Sequence, residues 1–339
     1  MHTMSKQEFN TKVLFQVLND SAPSPITRDN SPPSIEAKLI LDCKCILGEC
    51  VLYDDAKDSI LWTDIYGKQL HKLDLNSGTH WVHSVPKMLG AFALLPKDKD
   101  GFLCAWEDGF QYYDIEGCKA LSKMSLGEEV NPKKLPTRLN DGRVDPTGKR
   151  FICGGYYGDV EGNIMKVYKC EHIEEEEPKL VHEAVVDSIR VTNSICFSPD
   201  GKSMYIADSP TGQICKHDYD NQTGKLANKI IVSTNQIGVP DGSCTDMQGN
   251  IWNAVWRAGA GPSMVNCIHP VSGEVLFTVN MPDSTSQVTC CCFGGRDMDV
   301  LFITTAATGR DPEKEPHAGG LYAIKLNVKG CQEKRFIGK

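Results

Sequence analysis

The sequence predicts an all-β chain folded as a six-bladed β-propeller around a central channel. Three observations predict it: a recurring unit of short strands and polar turns, a constant spacing inside that unit, and a repeat length typical of propeller blades. Each unit reads as a short apolar strand, a polar turn, a second strand rich in Trp, Tyr and Phe, a Gly or Asn turn, and a third alternating strand. The stretches YDDAKDSILWTDIYGKQLHKLDLNSG from Tyr53 and SPDGKSMYIADSPTGQICKHDYDNQTG from Ser198 share this pattern from end to end. Glu49 precedes Asp64 by fifteen residues and Asn193 precedes Asp208 by the same fifteen, so Glu49 and Asn193 each open an inner strand. The same spacing yields six starts at Glu49, Gly90, Asn140, Asn193, Asp241 and Thr289, separated by 41, 50, 53, 48 and 48 residues. Six positions later each unit enters its turn, at Asp55, Pro96, Pro146, Pro199, Met247 and Gly295. Repeats of this length with three or four strands match blades packed radially about an axis.

The elements follow in order. Residues 1–34 are expected to be a flexible N-terminal segment, because Asn19 to Pro33 is dense in Ser and Pro and cannot bury a core. A single propeller domain is expected over residues 35–332, with 333–339 as a C-terminal tail. The residue after each start is Cys50, Ala91, Asp141, Ser194, Gly242 or Cys290, all short, as strands converging on an axis require. The last blade lacks an evident outer strand of its own. The segment Ala37 to Leu41, ahead of the first start, is expected to supply it and close the ring. The acidic run Glu174 to Glu177 reads as a solvated insertion in the third blade, and Gly259-Ala260-Gly261 as a loop.

Composition excludes several function classes. The chain of 339 residues carries 36 basic and 44 acidic side chains, a formal charge of −8, and has no Lys/Arg block, which argues against a nucleic-acid partner. No run of about 18 apolar residues exists to span a bilayer, and the polar N-terminal stretch has no secretory apolar block. A cytoplasmic protein with no obligate protein partner is expected. Fifteen cysteines are an odd number, and Cys290, Cys291 and Cys292 are consecutive, so the thiols read as reduced core residues.

Equivalent starts place Glu49, Asn140, Asn193 and Asp241 around one end of the channel, with Gly90 and Thr289 in the two remaining positions. Two carboxylates side by side in a buried ring are costly unless a cation or protons balance them. Oxygen and amide donors favour Ca²⁺, Mg²⁺ or Mn²⁺, and Zn²⁺ also accepts carboxylate oxygen. Asp200-Gly201, by contrast, falls at the six-later position and reads as a plain turn.

The ordered motifs are Gly48-Glu49-Cys50, Arg138-Leu139-Asn140-Asp141-Gly142-Arg143-Val144-Asp145-Pro146, Asn193 followed by Phe197-Ser198-Pro199-Asp200-Gly201, Pro240-Asp241-Gly242, Cys291-Cys292-Phe293-Gly294-Gly295 and Ala318-Gly319-Gly320. Through them the chain, from about Ile35 to Gly330, resembles the senescence-marker-protein (regucalcin) and gluconolactonase family of six-bladed sugar lactonases. The resemblance implies that Glu49, Asn193 and Asp241 bind one divalent metal, that Arg138 and Asn140 bind substrate, and that Asp241 is the catalytic proton acceptor and donor. It implies a metal-dependent hydrolase that opens a small sugar (aldono) lactone to the sugar acid. Asp141 is the rival base, although strand alternation would turn it away from the channel when Asn140 faces in.

Two departures from the family pattern stand out. The chain has Asn193-Ser194 where family members commonly have Asn-Gly, and Gly154-Gly155-Tyr156-Tyr157-Gly158 where some place a sugar-binding Glu. A Tyr there either covers a less hydroxylated lactone or packs in the core. Two other readings are a non-catalytic calcium- or ligand-binding propeller and a broader paraoxonase-like esterase. The latter calls for a catalytic His, for which the sequence offers no good candidate; His317, in a final-blade loop that could overhang the mouth, reads rather as a surface histidine.

Overall fold

The computed structural model describes the chain apart from residues 1–3, 8–10, 26–30, 115–118, 121–136, 159–161, 163, 175–178, 235–236, 260, 283–284 and 339. Six sheets, antiparallel except for one added strand in the fifth, follow one another along the chain, each with the first strand of its own blade innermost. The innermost strands are Gly48–Asp54, Leu89–Leu94, Arg138–Val144, Thr192–Phe197, Val239–Thr245 and Val288–Gly294. Each contains one of the six starts, and neighbouring inner strands pack against each other around the axis.

The fifteen-residue spacing has a physical cause. Asp64 accepts hydrogen bonds from the amides of Ile46 and Leu47, at 2.8 and 2.9 Å, just before the first inner strand. Asp208 does the same for Arg190 and Val191, at 3.3 and 2.9 Å. In both blades a carboxylate at the end of the second strand caps the chain where it enters the first.

Between the inner strands there is little room. A Cβ at Gly90 would lie 2.2 Å from the carbonyl oxygen of Leu139, and one at Gly242 would meet Cys290 Sγ at 2.6 Å. Apolar side chains from adjacent sheets fill the space between blades, with Trp62, Trp106 and Trp252 among the largest wholly buried. None of the described cysteines is disulfide-bonded, and all but Cys43 and Cys331 are buried.

Ring closure follows the expected route. The strand Lys38–Leu41 pairs antiparallel with Leu321–Lys325 and completes the sixth blade, joining the chain's N-terminal part to its last blade. Ser34–Glu36 adds a parallel strand to the fifth blade, and Met4–Gln7 adds an antiparallel one to the first.

Both ends of the chain are more structured than their composition suggested. Within the segment expected to be a flexible lead-in, Lys12–Asn19 is an α-helix whose Leu14 and Val17 are buried against the first and sixth blades. Leu14, Val17 and Leu18 share one helical face, and Lys325 Nζ binds the Leu18 carbonyl at 3.1 Å, a cation at the helix C-terminus.

The closing residues, expected as a tail, cross the ends of the inner strands. Glu333 pairs with Arg143, and Arg335 with Asp54 and Asp55. Phe336 is wholly buried, its amide donating to Leu94 O at 2.7 Å. The Ser/Pro run and the charged ending hid these contacts because the partners lie in distant blades.

Of the acidic run, Glu174 is exposed and Glu175 to Glu177 lie outside the described residues. Gly259 and Gly261 lie in a loop, and Ala260 is likewise outside the described residues. Among the described residues no helix is long and apolar enough to cross a membrane.

Candidate functional site

A register irregularity interrupts every inner strand near its start: between Glu49 and Leu52, Leu89 and Ala91, Leu139 and Gly142, Asn193 and Cys196, Pro240 and Ser243, and Val288 and Cys290. A bulge leaves a residue unpaired and redirects its side chain. Strict alternation therefore fails where it was expected to turn Asp141 away. Asn140 Nδ2 donates to Asn193 Oδ1 at 3.0 Å, and the adjacent Asp141 Oδ2 accepts from the amide of Ile195 in the next inner strand at 2.8 Å.

The predicted residues meet at one mouth. The carboxyl groups of Glu49 and Asp241 are both buried and close enough for each to act on the other electrostatically. Burial first, then the charge of Asp141, pushes Glu49 up to about 8. Burial, then Glu49 and Asp141, holds Asp241 well above the usual carboxylate range. Asp141 is raised as well by burial, against the pull of Arg143.

Asn193 is held in one orientation. Its Nδ2 donates to Ser209 Oγ at 2.8 Å, and Ser209 Oγ donates to the Pro240 carbonyl at 2.7 Å, which leaves Asn193 Oδ1 turned toward Asn140. Arg138 is not a surface ion pair. Its guanidinium lies 4.3 Å from the centre of the Tyr156 ring and 5.5 Å from that of Tyr66, and donates to Asn140 Oδ1 and to Leu139 O.

Arg138, Asn140, Asn193 and Asp241 face a cavity of about 310 Å³. Its apolar wall includes Tyr66, Tyr156, Val191 and Trp256. Tyr156 therefore belongs to the cavity, whereas Tyr157 is buried in the core. Gly158 makes room for it, since a Cβ there would lie 1.9 Å from the Tyr156 hydroxyl. His317 is not in this wall. It is half-buried and pairs with Asp42 at 3.2 Å. The two silent ring positions serve packing: Gly90 lies against Leu139, and Thr289 Oγ1 donates to Gly48 O.

Sequence reasoning missed two supports. Ser209 sits in a turn and matches no repeat position. Asn253 lies on the second strand of the fifth blade, and its Nδ2 donates to Ser194 Oγ at 3.0 Å and Asp241 O at 3.1 Å. Ser194 adopts φ 60, the left-handed region where glycine is commonest. Its hydroxyl donates to Asp241 O at 2.6 Å, so the strained residue is tied to the Asp beside it.

The donor set fits a divalent cation. Buried carboxylates crowd one mouth, and Asp241 Oδ1 is buried without a hydrogen-bond partner. Such an oxygen is costly in an apolar surrounding unless a cation or donor reaches it. Glu49, Asn193 and Asp241 are the residues that would hold the ion.

The fold and this cluster define the chain as a six-bladed propeller with acid and amide groups gathered at one channel mouth. The model of the SMP-30/Gluconolactonase/LRE-like region matches residues 47–307, and the chain belongs to this family. A putative sugar lactone lactonase, YvrE, of Bacillus subtilis (strain 168) is 29% identical over 309 residues, covering 90% of this chain and 99% of that protein. The crystal structure of regucalcin, a calcium-binding protein from Agrobacterium tumefaciens str. C58, is 27% identical with a TM-score of 0.74 and covers 89% and 98% of the two chains. A luciferin-regenerating enzyme structure is 25% identical with a TM-score of 0.76, over 89% and 99%.

Proposed function

We propose that the protein is a metal-dependent lactonase that opens a sugar lactone to the free acid. The observation that carries this reading is the buried carboxylate Asp241, raised by burial and by Glu49 beside it, in a cavity wall that also holds Arg138, Asn140 and Asn193. In this reading Glu49, Asn193 and Asp241 hold one divalent ion, Ca²⁺, Zn²⁺, Mn²⁺ or Mg²⁺. Bound there, the ion supplies Lewis-acid polarisation of the lactone carbonyl and offsets the charge that develops on its oxygen.

The chain's own groups do the rest. Arg138 and Asn140 hold substrate oxygens, with the guanidinium fixed between two tyrosine rings. Asp241 accepts a proton from the attacking water and returns it to the ring oxygen as the carbon–oxygen bond breaks. Asp141 is less suited to that work, because one of its oxygens is already bound to the Ile195 amide. The free thiols fit a reducing compartment, and we place the protein in the cytoplasm.

The wall favours a lactone with fewer hydroxyls than gluconolactone. Tyr66, Tyr156, Val191 and Trp256 present apolar surface, and Tyr156 stands in the stretch where some family members carry a sugar-binding Glu. Metal-stripped protein restored with each of the four ions, and assayed by pH indicator against aldonolactones and their deoxy counterparts, tests the proposal. Ion-dependent acid release supports it. Ion uptake with no turnover on any lactone supports the non-catalytic calcium-binding reading instead.

A further inference from the structure

A second group of metal-type donors lies on the outer part of the first blade, and the lactonase reading makes no use of it. Cys45 Sγ, a carboxylate oxygen of Asp64 and a ring nitrogen of His71 all fall within 4.8 Å of one another, and all three residues are buried. Cys45 precedes the inner strand, Asp64 ends the second strand and His71 lies on the third.

Two of the separations are those of a tetrahedral ion. Zinc, with bonds of about 2.3 Å to sulfur and about 2.0 Å to nitrogen, sets two sulfurs about 3.8 Å apart and sulfur from nitrogen about 3.5 Å apart. Cys45 Sγ lies 3.6 Å from Cys43 Sγ and 3.7 Å from His71 Nε2. Lys44, between the two cysteines, takes the left-handed backbone at φ 54. Cys43 is half-buried, so it stands on the entry side.

The surroundings are those of a supported ligand set. His71 Nδ1 lies 3.0 Å from His80 Nε2, the kind of outer hydrogen bond that fixes a ligating imidazole in one tautomer. Trp62 stacks on both rings, with centroids 5.0 and 5.5 Å away, and its Nε1 donates to Cys45 Sγ at 3.4 Å. His80 is fully buried and its Nδ1 has no partner. An apolar core gains nothing from two stacked histidines and a thiol pair, because each polar ring must be desolvated.

We propose that Cys45, Asp64 and His71, with Cys43 as fourth donor, bind one thiophilic divalent cation, zinc by donor type, at a site separate from the channel mouth. Cys43 joins the set in place by giving up the hydrogen bond its thiol now donates to the Gly319 carbonyl at 3.1 Å. Binding converts both thiols to thiolates and releases their two protons to solvent. With one carboxylate and a neutral imidazole, the four ligands carry three negative charges against the ion's two positive ones. The ion would pin the entry of the first inner strand to the outer strands of its blade.

The test uses the full-length chain carrying Glu49→Gln and Asp241→Asn, so that the channel mouth takes up no ion. After reduction and chelation, the protein is titrated with Co²⁺ and then with Zn²⁺. One equivalent of cobalt should produce an intense sulfur-to-metal charge-transfer absorption, and one equivalent of zinc should erase it. Cys45→Ser should abolish the band. Cys43→Ser, at a half-buried position that leaves the fold intact, should weaken zinc binding at least tenfold. His80→Phe keeps an aromatic ring but loses the outer hydrogen bond, and should weaken binding roughly tenfold to a hundredfold. No charge-transfer band in the reduced parent, or a band unchanged in Cys43→Ser, overturns the assignment.

Discussion

The hydroxyl of Ser194 donates a 2.6 Å hydrogen bond to the carbonyl oxygen of Asp241, linking the inner strands of the fourth and fifth blades at the channel mouth. Ser194 sits in left-handed backbone directly after Asn193, so two proposed ligand positions are coupled through one strained residue. Ser194→Ala keeps the strain and loses the bond, which should cost about 1–2 kcal/mol of stability. Ser194→Gly relieves the strain and should recover part of that loss. Both should bind the ion more weakly, because Asp241 loses its tether. Urea denaturation and calorimetry check the pair, and an Ala variant matching the parent in both would sink the coupling.

Asp241→Ala and Glu49→Gln should each reduce lactone hydrolysis to background while leaving the circular dichroism spectrum unchanged. Asp200→Ala should leave the rate within about twofold, a difference under 0.5 kcal/mol. Asp200 is exposed and its carboxylate serves only the local turn, accepting from Ser198 Oγ at 2.6 Å and Lys202 N at 3.1 Å. Equal activity in the three variants would remove the ring from the mechanism.

The repeat was legible because it rests on a local device. A carboxylate that caps the entry of its own blade, as Asp64 and Asp208 do, must recur at a fixed distance from the start, and spacing reveals it. The placing of the six starts on inner strands was legible for the same reason. The bulges were not, since a register slip depends on the partner strand, and so Asp141 was expected to face away. Ser209 and Asn253 act across strands and blades, with no fixed spacing to betray them. At the chain's ends, Leu14 and Val17 are too few to stand out beside a Ser/Pro run. Glu333 and Arg335 look solvated until Arg143 and Asp54 are folded beneath them.

The ion-free protein should lose stability as pH rises toward neutrality. Glu49 has its ordinary value of 4.5 when unfolded and is pushed up to about 8 when folded, chiefly by burial. Between these values the folded state holds a proton that the unfolded state has released, so this contribution is full below about pH 4.5 and is lost as pH climbs through 8. Adding Ca²⁺ or Zn²⁺ should therefore raise Tm more at about pH 8 than at about pH 6, where protons compete for the carboxylates. Glu49→Gln should flatten the fall in the ion-free melting curve. A Tm that is level across this range in the ion-free parent would contradict the buried pair.

Arg143 lies in the channel, and its guanidinium is shared among the Ile195 carbonyl at 3.2 Å, the Ser243 carbonyl at 2.7 Å and the Glu333 carboxylate. The C-terminal residues thus add a second counter-charge, beside that of Asp141, to a cation buried beneath the ring. Removing Glu333 leaves Arg143 to Asp141 and the two carbonyls, so Glu333→Ala should destabilise by about 1–3 kcal/mol, below the full cost of an unpaired buried charge. Truncation after Gln332 removes Phe336 from the core as well and should destabilise more than Glu333→Ala alone. Replacing both partners, as Arg143→Met with Glu333→Leu, should recover only part of the Glu333→Ala loss, because Asp141 then loses the guanidinium that favours its charged form. Equilibrium denaturation of the four proteins measures the effect. If Glu333→Ala melts with the parent, Arg143 is adequately held by the two carbonyls, and the C-terminal residues contribute packing alone.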